Sequence, residues 1–114
     1  MGSSVVHFDI GCRDRERAEA FYTRVFGWQM ERAGSASRID TGGEGINGRL
    51  TPMSRKPYHY VMFYVQVDDI KSHLDKAVAQ GGTLVIPPMD SPEGTFACIT
   101  DPEGNPIGLW KPRS

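Results

Sequence analysis

Few side chains in this sequence combine a reactive type with a spacing that would bring them together. His7 and Asp9 lie two positions apart in a segment that alternates between apolar and polar residues, so both are expected on one face of a strand. Imidazole and carboxylate are ligands that divalent metals accept, but a tightly held catalytic metal needs about three protein ligands. This pair alone therefore does not predict a complete site.

The two cysteines, Cys12 and Cys98, are far apart and form no Cys-x-x-Cys motif. Two cysteines are too few for a disulfide scaffold, so two reduced, partly buried thiols are expected. Arg13 beside Cys12 makes a mildly lowered thiol pKa conceivable at that position. Neither a Gly-x-Ser-x-Gly nucleophile motif nor a Walker loop occurs, which removes two common classes of catalytic site.

The charge balance is close to neutral, with 13 Lys and Arg against 14 Asp and Glu in 114 residues. A nucleic-acid-binding domain usually carries a basic excess, so no nucleic-acid partner is expected. No apolar run reaches 18 residues and the N-terminal segment has no basic region, so neither a transmembrane helix nor a signal peptide is expected. These features favour one domain with no membrane partner, in the cytoplasm.

Two halves of the sequence show the same order of elements, strand–helix–strand–strand–strand. Asp14 and Asp69 are candidate helix N-caps 55 residues apart, and Gly27 and Gly82 follow the two helices at the same offset. A repeated order of this kind indicates an internal repeat. Strands are predicted over residues 5–10, 28–31, 37–41, 46–50, 60–67, 83–86, 95–100 and 107–111, with the sixth strand closed by Pro87 and Pro88.

Three stretches carry a family resemblance: residues 5–10 (VVHFDI), 17–28 (RAEAFYTRVFGW) and 101–110 (DPEGNPIGLW). On these motifs the chain resembles the vicinal oxygen chelate superfamily, which includes glyoxalase I, bleomycin-resistance proteins, fosfomycin-resistance enzymes and extradiol dioxygenases. The resemblance implies an α+β fold of two βαβββ modules that form a curved mixed sheet around a cup-shaped cavity. It implies one glyoxalase-like domain over residues 1–114, with module one at about 1–55 and module two at about 56–114.

Metal-using members of this superfamily place ligands near the start of each module and on each module's last strand. On that pattern His7 falls on the first position, and the other three positions hold Met62, Gly108 and a place near Asn47-Gly48. A shift of two residues would offer Tyr60 in place of Met62. Met and Gly do not suit Zn, Ni, Fe or Mn, so His7 is a weak metal candidate and no complete cofactor site is expected.

The resemblance also assigns a set of residues to the cavity. The place of Phe96 in this set depends on Ile99 pairing with Ile107, because a one-residue shift would turn the strand's side chains to the other face. Aromatic and thioether side chains with a few polar groups are typical of small-molecule pockets. The predicted lining comprises His7, Asp9, Trp28, Met62, Tyr64, Gln66, Phe96, Gly108 and Trp110.

These expectations favour a glyoxalase/bleomycin-resistance-like protein that binds a small aromatic or amphipathic molecule without a complete metal site. The alternative is a metal-dependent lyase or dioxygenase in which His7 is one ligand, so enzyme activity stays open. A third hypothesis is an accessory subunit that binds another protein. Exposed strand edges and two tryptophans also favour a homodimer, because large aromatic side chains are common in interfaces.

Overall fold

The computed structural model describes residues 2–53 and 59–113. Within these ranges the chain forms eight strands and two helices, in the order strand–helix–strand–strand–strand twice over. This arrangement confirms the predicted α+β fold of two βαβββ modules. We call the first five elements module one and the last five module two.

Module one has a four-stranded mixed sheet with the strand order β2-β3-β4-β1. Strands β1 and β4 run parallel, whereas β3 is antiparallel to both β2 and β4. A parallel pair needs a crossover connection, and the helix lies within it. The elements are β1 (Val5–Cys12), α1 (Arg15–Phe26), β2 (Gln29–Ala33), β3 (Ala36–Asp40) and β4 (Asn47–Pro52).

The predicted signals at both ends of α1 are confirmed. Asp14 is the N-cap, and its carboxylate accepts a hydrogen bond from the Arg17 amide at 3.1 Å. Gly27 ends the helix with φ +73°, and its amide donates to the Thr23 carbonyl at 2.9 Å. That left-handed conformation costs glycine little, which explains the residue type at this position.

One face of the module-one sheet packs against α1. Ile39 and Leu50 form the centre of this core and are almost completely buried. The apolar side chains of α1 that reach the core are Ala18 and Tyr22, whereas Phe21 is more than half exposed. The cluster also contains Cys12, Phe8, Ile10, Trp28 and Met30.

Module two repeats the plan with the strand order β5-β8-β7-β6. Strands β5 and β8 run parallel, and β7 is antiparallel to both of its neighbours. Helix α2 begins at the predicted cap, because the Asp69 carboxylate accepts from the Ser72 amide at 3.0 Å. The elements are β5 (Val61–Gln66), α2 (Ile70–Ala79), β6 (Thr83–Ser91), β7 (Gly94–Thr100) and β8 (Pro106–Pro112).

The core of module two lies between α2 and one face of its sheet. Ile70 and Leu74 are the buried residues of α2. They pack against buried residues of β7 and β8, of which Ala97 is completely buried. Val67, Leu109, Val65 and Ile99 complete the cluster. Neither helix in the described part of the chain is long and apolar enough to cross a membrane.

Strand β6 differs from its prediction. The sequence predicts that Pro87 and Pro88 close the strand, but β6 continues through both of them to Ser91. Its pairing with β7 is irregular here, with register shifts between Leu84 and Met89. Proline lacks an amide donor and is tolerated at an edge or a bulge, and β6 has both properties, since it stands at the end of the strand order.

The chain divides into two compact units whose limits differ from those of the modules. One unit is His7–Met62, and the other combines the residues from Phe63 onward with the N-terminal residues up to Val6. The Gln66 amide donates to the Ser4 carbonyl at 2.9 Å and ties the N-terminal residues to the second unit. Residues 2–6, which include the start of β1, therefore pack with module two.

Candidate functional site

Module one presents a buried carboxylate on the sheet face opposite α1. Asp9 is 3% exposed, and its Oδ1 accepts a hydrogen bond from His7 Nε2 at 2.8 Å. Arg49 Nε forms an ion pair with the same oxygen at 3.6 Å, because parallel pairing of β1 and β4 sets Arg49 opposite Asp9. A carboxylate removed from water needs such partners to stay charged. The predicted pair of His7 and Asp9 is therefore formed, with an arginine beside it.

A row of charged residues continues from Asp9 across the sheet. Arg49 is opposite Arg38 in the antiparallel pair of β3 and β4, and Arg38 is opposite Glu31 in the next pair. Arg38 Nη1 lies 3.4 Å from Glu31 Oε1. The row thus places two cations side by side between two anions.

The strand registers identify which residues of the two modules correspond. Asp9 and Tyr64 each lie five residues before the aspartate that caps the next helix. Asp9 pairs with Arg49, and Tyr64 pairs with Gly108. Arg49 is therefore the module-one counterpart of Gly108. The sequence predicted this counterpart near Asn47-Gly48, whereas the strand register assigns it to Arg49.

The side chains at the four positions where the superfamily places metal ligands do not fit a catalytic metal. His7 has a ligating imidazole, but Arg49 brings a positive charge that disfavours a second cation beside it. Met62 and Gly108 supply neither an imidazole nor a carboxylate. Within residues 2–53 and 59–113, no group of three or more His, Cys, Asp or Glu side chains is placed to hold a metal ion.

Module two presents an aromatic face on the side of its sheet away from α2. Ile99 is opposite Ile107, which is the register on which the placement of Phe96 depends. Phe96 is therefore opposite Trp110, and Trp110 is opposite Gln66 across the parallel pair. Two rows of residues cross this face: Gln66, Trp110, Phe96 and Met89, and beside them Tyr64, Gly108, Cys98 and Ile86.

Two glycines on this face make room for aromatic rings. A side-chain carbon on Gly108 would overlap the ring of Tyr64, so the tyrosine ring lies over the glycine. A side-chain carbon on Gly94 would approach Trp110 Cη2 to 2.8 Å, closer than van der Waals contact allows. Both rings therefore rest against the backbone of the sheet. The space beside Gly108 is thus occupied by the side chain of its neighbour Tyr64.

The accessible part of the aromatic face is the row that contains Trp110. Trp110 and Phe96 are half-buried, Gln66 is exposed, and Met89 is 50% exposed. Tyr64 in the adjoining row is buried, as is the predicted cavity residue Met62 on the same face of β5. A ligand on this face would therefore contact an indole, a phenyl ring, a thioether and one amide.

Trp28 does not lie on the module-one sheet face that carries Asp9. Its indole stacks on Tyr22 with a centroid distance of 5.2 Å and an interplanar angle of 10°, and it also contacts Phe8 and Phe26. These rings belong to the core side of module one, against α1. The structure thus corrects the prediction that Trp28 lines the cavity. Trp28 follows Gly27, and the left-handed turn at that glycine directs it to the helix.

Tyr60, which the sequence offers as an alternative to Met62, forms hydrogen bonds with residues of β1 and β4. Its hydroxyl lies 2.7 Å from Thr51 Oγ1, and its carbonyl accepts from the Gly11 amide at 2.8 Å. These bonds connect Tyr60 to the ends of β1 and β4.

Cys12 and Cys98 are both buried, and they form no disulfide with each other. Burial raises the pKa of the Cys12 thiol, and the nearby Asp14 carboxylate raises it further. Burial also raises the pKa of Cys98. The pKa of Cys12 is therefore raised and not lowered, contrary to the effect considered for Arg13.

Sequence reasoning missed Arg49 and Arg38 as site residues. The alternation of β4 does place Arg49 on the same face as Asn47 and Thr51, which is a usable signal. Pairing with Asp9, however, joins residues 40 positions apart through a parallel ladder. No local pattern encodes that register.

Comparison with known sequences gives a consistent family. Residues 4–109 match the model of the Glyoxalase/Bleomycin resistance protein/Dioxygenase superfamily. The chain is 31% identical over 116 aligned positions to proteins named "Putative glyoxylase CFP32" in Mycobacterium bovis and Mycobacterium tuberculosis. The alignment covers 90% of this chain but 43% of each relative, so the chain spans less than half the length of these curated proteins.

Solved structures share the fold at low sequence identity. Methylmalonyl-CoA epimerase from Mycobacterium tuberculosis aligns over 99% of this chain and 90% of its own, with TM-score 0.72 and 17% identity. The Mn(II)-bound glyoxalase from Novosphingobium aromaticivorans aligns over 96% of this chain and 39% of its own, with TM-score 0.71 and 14% identity. With the family match over nearly its whole length, the chain belongs to the Glyoxalase/Bleomycin resistance protein/Dioxygenase superfamily.

Proposed function

We propose that this chain binds a small aromatic or amphipathic molecule on the aromatic face of module two and does so without a catalytic metal. The observation that carries the proposal is the row of Gln66, Trp110 and Phe96, which offers two rings and one amide at an accessible surface. Binding sites for small molecules typically combine apolar, aromatic walls with a few polar groups that fix orientation.

The position of Trp110 supports this function. Its indole rests on Gly94, so part of its freedom is lost before any ligand binds. A side chain ordered in advance reduces the entropy that binding must offset. Gln66, at the end of β5, is the polar group best placed to orient a ligand over the indole.

The absence of a matching donor set supports the metal-free part of the proposal. Arg49 and Gly108 occupy corresponding positions on the last strands of the two modules, and neither is a ligand for a divalent metal. A ligand would then be recognised by stacking and hydrogen bonding.

The sequence has two tryptophans, and the experiment uses the fact that Trp110 lies on the aromatic face whereas Trp28 packs in the core of module one. Trp28→Phe leaves Trp110 as the only indole, and a set of uncharged aromatic and amphipathic compounds is screened by its fluorescence and by thermal shift. A ligand at 100 times its Kd is expected to stabilise the fold by about 2.7 kcal/mol. Compounds that bind should lose affinity in Phe96→Ala. If no compound changes the Trp110 signal saturably, or if Phe96→Ala leaves binding intact, the proposal fails.

A second candidate is a metal-dependent lyase or dioxygenase with His7 as one ligand. It is favoured by the imidazole at the expected position and by the Mn(II)-bound glyoxalase among the structures of the same fold. Metal analysis of protein purified without chelator, followed by thermal shift with Zn²⁺, Ni²⁺, Fe²⁺ and Mn²⁺, tests it. Stoichiometric metal that is lost in His7→Ala would establish this alternative and overturn the metal-free proposal.

The assembly and compartment belong to the same proposal. We infer a homodimer, because large apolar side chains such as Phe63 and Val61 are 43% and 72% exposed. The compartment we propose is the cytoplasm. Light scattering at micromolar concentration tests the dimer, and a monomeric mass would contradict it.

A further inference from the structure

We propose that Arg38 and Arg49 together form a binding site for an oxyanion, the carboxylate or phosphate group of a small ligand. All of its residues lie in module one, whereas the aromatic face belongs to module two.

The β3–β4 pair places Arg38 and Arg49 at neighbouring positions of the sheet. Arg38 and Arg49 are directly opposite each other in the antiparallel register, so their side chains leave the same face side by side. Directly opposite residues have Cβ atoms about 4.5–5.5 Å apart, and like charges there repel. An anion between the two groups would remove that repulsion.

The carboxylates of the row hold the two arginines unequally. Asp9 is 4% exposed in its side chain and contacts Arg49 through Nε, which leaves the terminal nitrogens at the far end of the guanidinium. Glu31 is 77% exposed in its side chain and meets Arg38 at 3.4 Å, a surface pair of small energetic value. The buried Asp9 carboxylate therefore holds Arg49 in place. Arg38 is held only weakly and can turn toward a ligand.

Arginine suits this role better than lysine. A guanidinium is planar and carries five N–H donors in a fork that matches carboxylate and phosphate oxygens. Charge-assisted bonds of this type are about twice as strong as those between neutral groups. The exposures of Arg38 and Arg49, 61% and 46% in their side chains, give an anion direct access from solvent.

The experiment titrates the full-length protein with sodium phosphate and, separately, with sodium benzoate, at constant ionic strength against chloride. Isothermal titration calorimetry gives the affinity, and the arginine Nε–Hε signals in ¹⁵N NMR report which guanidinium groups respond. If only phosphate binds saturably, the ligand is assigned to phosphorylated compounds. If only benzoate binds saturably, the ligand is assigned to carboxylates. Saturable binding of neither anion would overturn the proposal.

Two variants and a control locate the effect. Arg38→Gln is expected to weaken anion binding by about tenfold, since one charge-assisted pair is lost. Arg49→Lys keeps a cation beside Asp9, so the fold is retained. Because lysine lacks the planar set of N–H donors of a guanidinium, this variant should also weaken anion binding. Arg24→Gln removes an exposed arginine from the last turn of α1 and should leave the affinity unchanged. Wild-type affinity in Arg38→Gln, or an equal loss in Arg24→Gln, would overturn the proposal.

Discussion

The ring of Tyr64 lies over Gly108, in the space that any side chain at position 108 would need. The two residues are opposite each other in the parallel pair of β5 and β8, so the strand register itself brings them together. Gly108 is the place where metal-using relatives would carry a ligand. The tyrosine therefore fills a ligand position that the glycine leaves vacant, which links the missing metal donor to the packing of the face.

We expect Gly108→Ala to destabilise the protein by about 1–3 kcal/mol, because overpacking of a close contact forces side chains or backbone to shift. Urea denaturation gives the free energy of unfolding. In the double variant Gly108→Ala/Tyr64→Ala the overlap is removed, so the total cost should be smaller than the sum of the two single costs. Additive costs would show that the Tyr64 ring does not occupy this space.

Asp9→Asn should destabilise the protein by about 1.5–3 kcal/mol, the usual range for hydrogen bonds that involve a charged group. The amide cannot serve His7 and Arg49 as the carboxylate does, and the Asp9 side chain is nearly inaccessible to water. The matched control is Asp75→Asn, which breaks an exposed pair with Lys71 and should cost less than about 0.5 kcal/mol. An equal effect of both substitutions in urea denaturation would contradict the burial argument.

Glu19 should make the stability depend on acidic pH. The hydrogen bond from Arg32 lowers the pKa of this carboxyl, and the 2.5 Å bond from the Ser37 hydroxyl lowers it further. Because the pKa is lower in the folded than in the unfolded chain, the contribution is complete above the ordinary value of 4.5. It is lost as the pH falls from there through the folded value.

The comparison of wild type with Glu19→Gln checks this dependence by thermal unfolding at several pH values. At neutral pH the variant should be less stable by about 1.5 kcal/mol, and the difference should shrink as the pH drops below 4.5. Glu44→Gln, in an exposed turn, is the control and should follow the wild-type curve. A gap between wild type and Glu19→Gln that stays constant down to acid would disprove the linkage.

Trp28→Ala should cost about 3–5 kcal/mol of stability, since it deletes an indole stacked among three other rings in the core of module one. The same change should leave ligand affinity at Trp110 unaltered, because the two tryptophans belong to different modules. The conservative Trp28→Phe should retain most of the stability. If Trp28→Phe abolished binding while the protein remained folded, the assignment of Trp28 to the core would have to be revised.

Local signals in the sequence were sufficient for the element order and the helix caps. Asp14 and Asp69 cap helices because a short acceptor side chain reaches an amide three residues on, which is encoded within one turn. The fold followed from the repeated order of elements and from motifs such as DPEGNPIGLW. In the turn at residues 101–105, with which this motif begins, hydrogen bonds from Asn105 hold the pKa of Asp101 below its usual range.

The candidate site was harder to predict, because its residues meet through registers between distant strands. Arg49 reaches Asp9 through a parallel pair whose alignment no turn fixes. The position of Phe96 opposite Trp110 follows from the register in which Ile99 faces Ile107, and the short turn between β7 and β8 made that register readable. Trp28 was misplaced because the direction of one residue after a helix depends on tertiary packing.

The two prolines in β6 bear on how this molecule behaves at high concentration. A strand at the end of a sheet offers unpaired amides and carbonyls to any other chain that approaches it in an extended form. Pro87 and Pro88 remove two consecutive amide donors from that strand and coincide with its irregular register. Because successive amides of a strand point to opposite sides, one of the two prolines removes a donor from the outer side of β6 and makes that side a poorer template for intermolecular β-pairing.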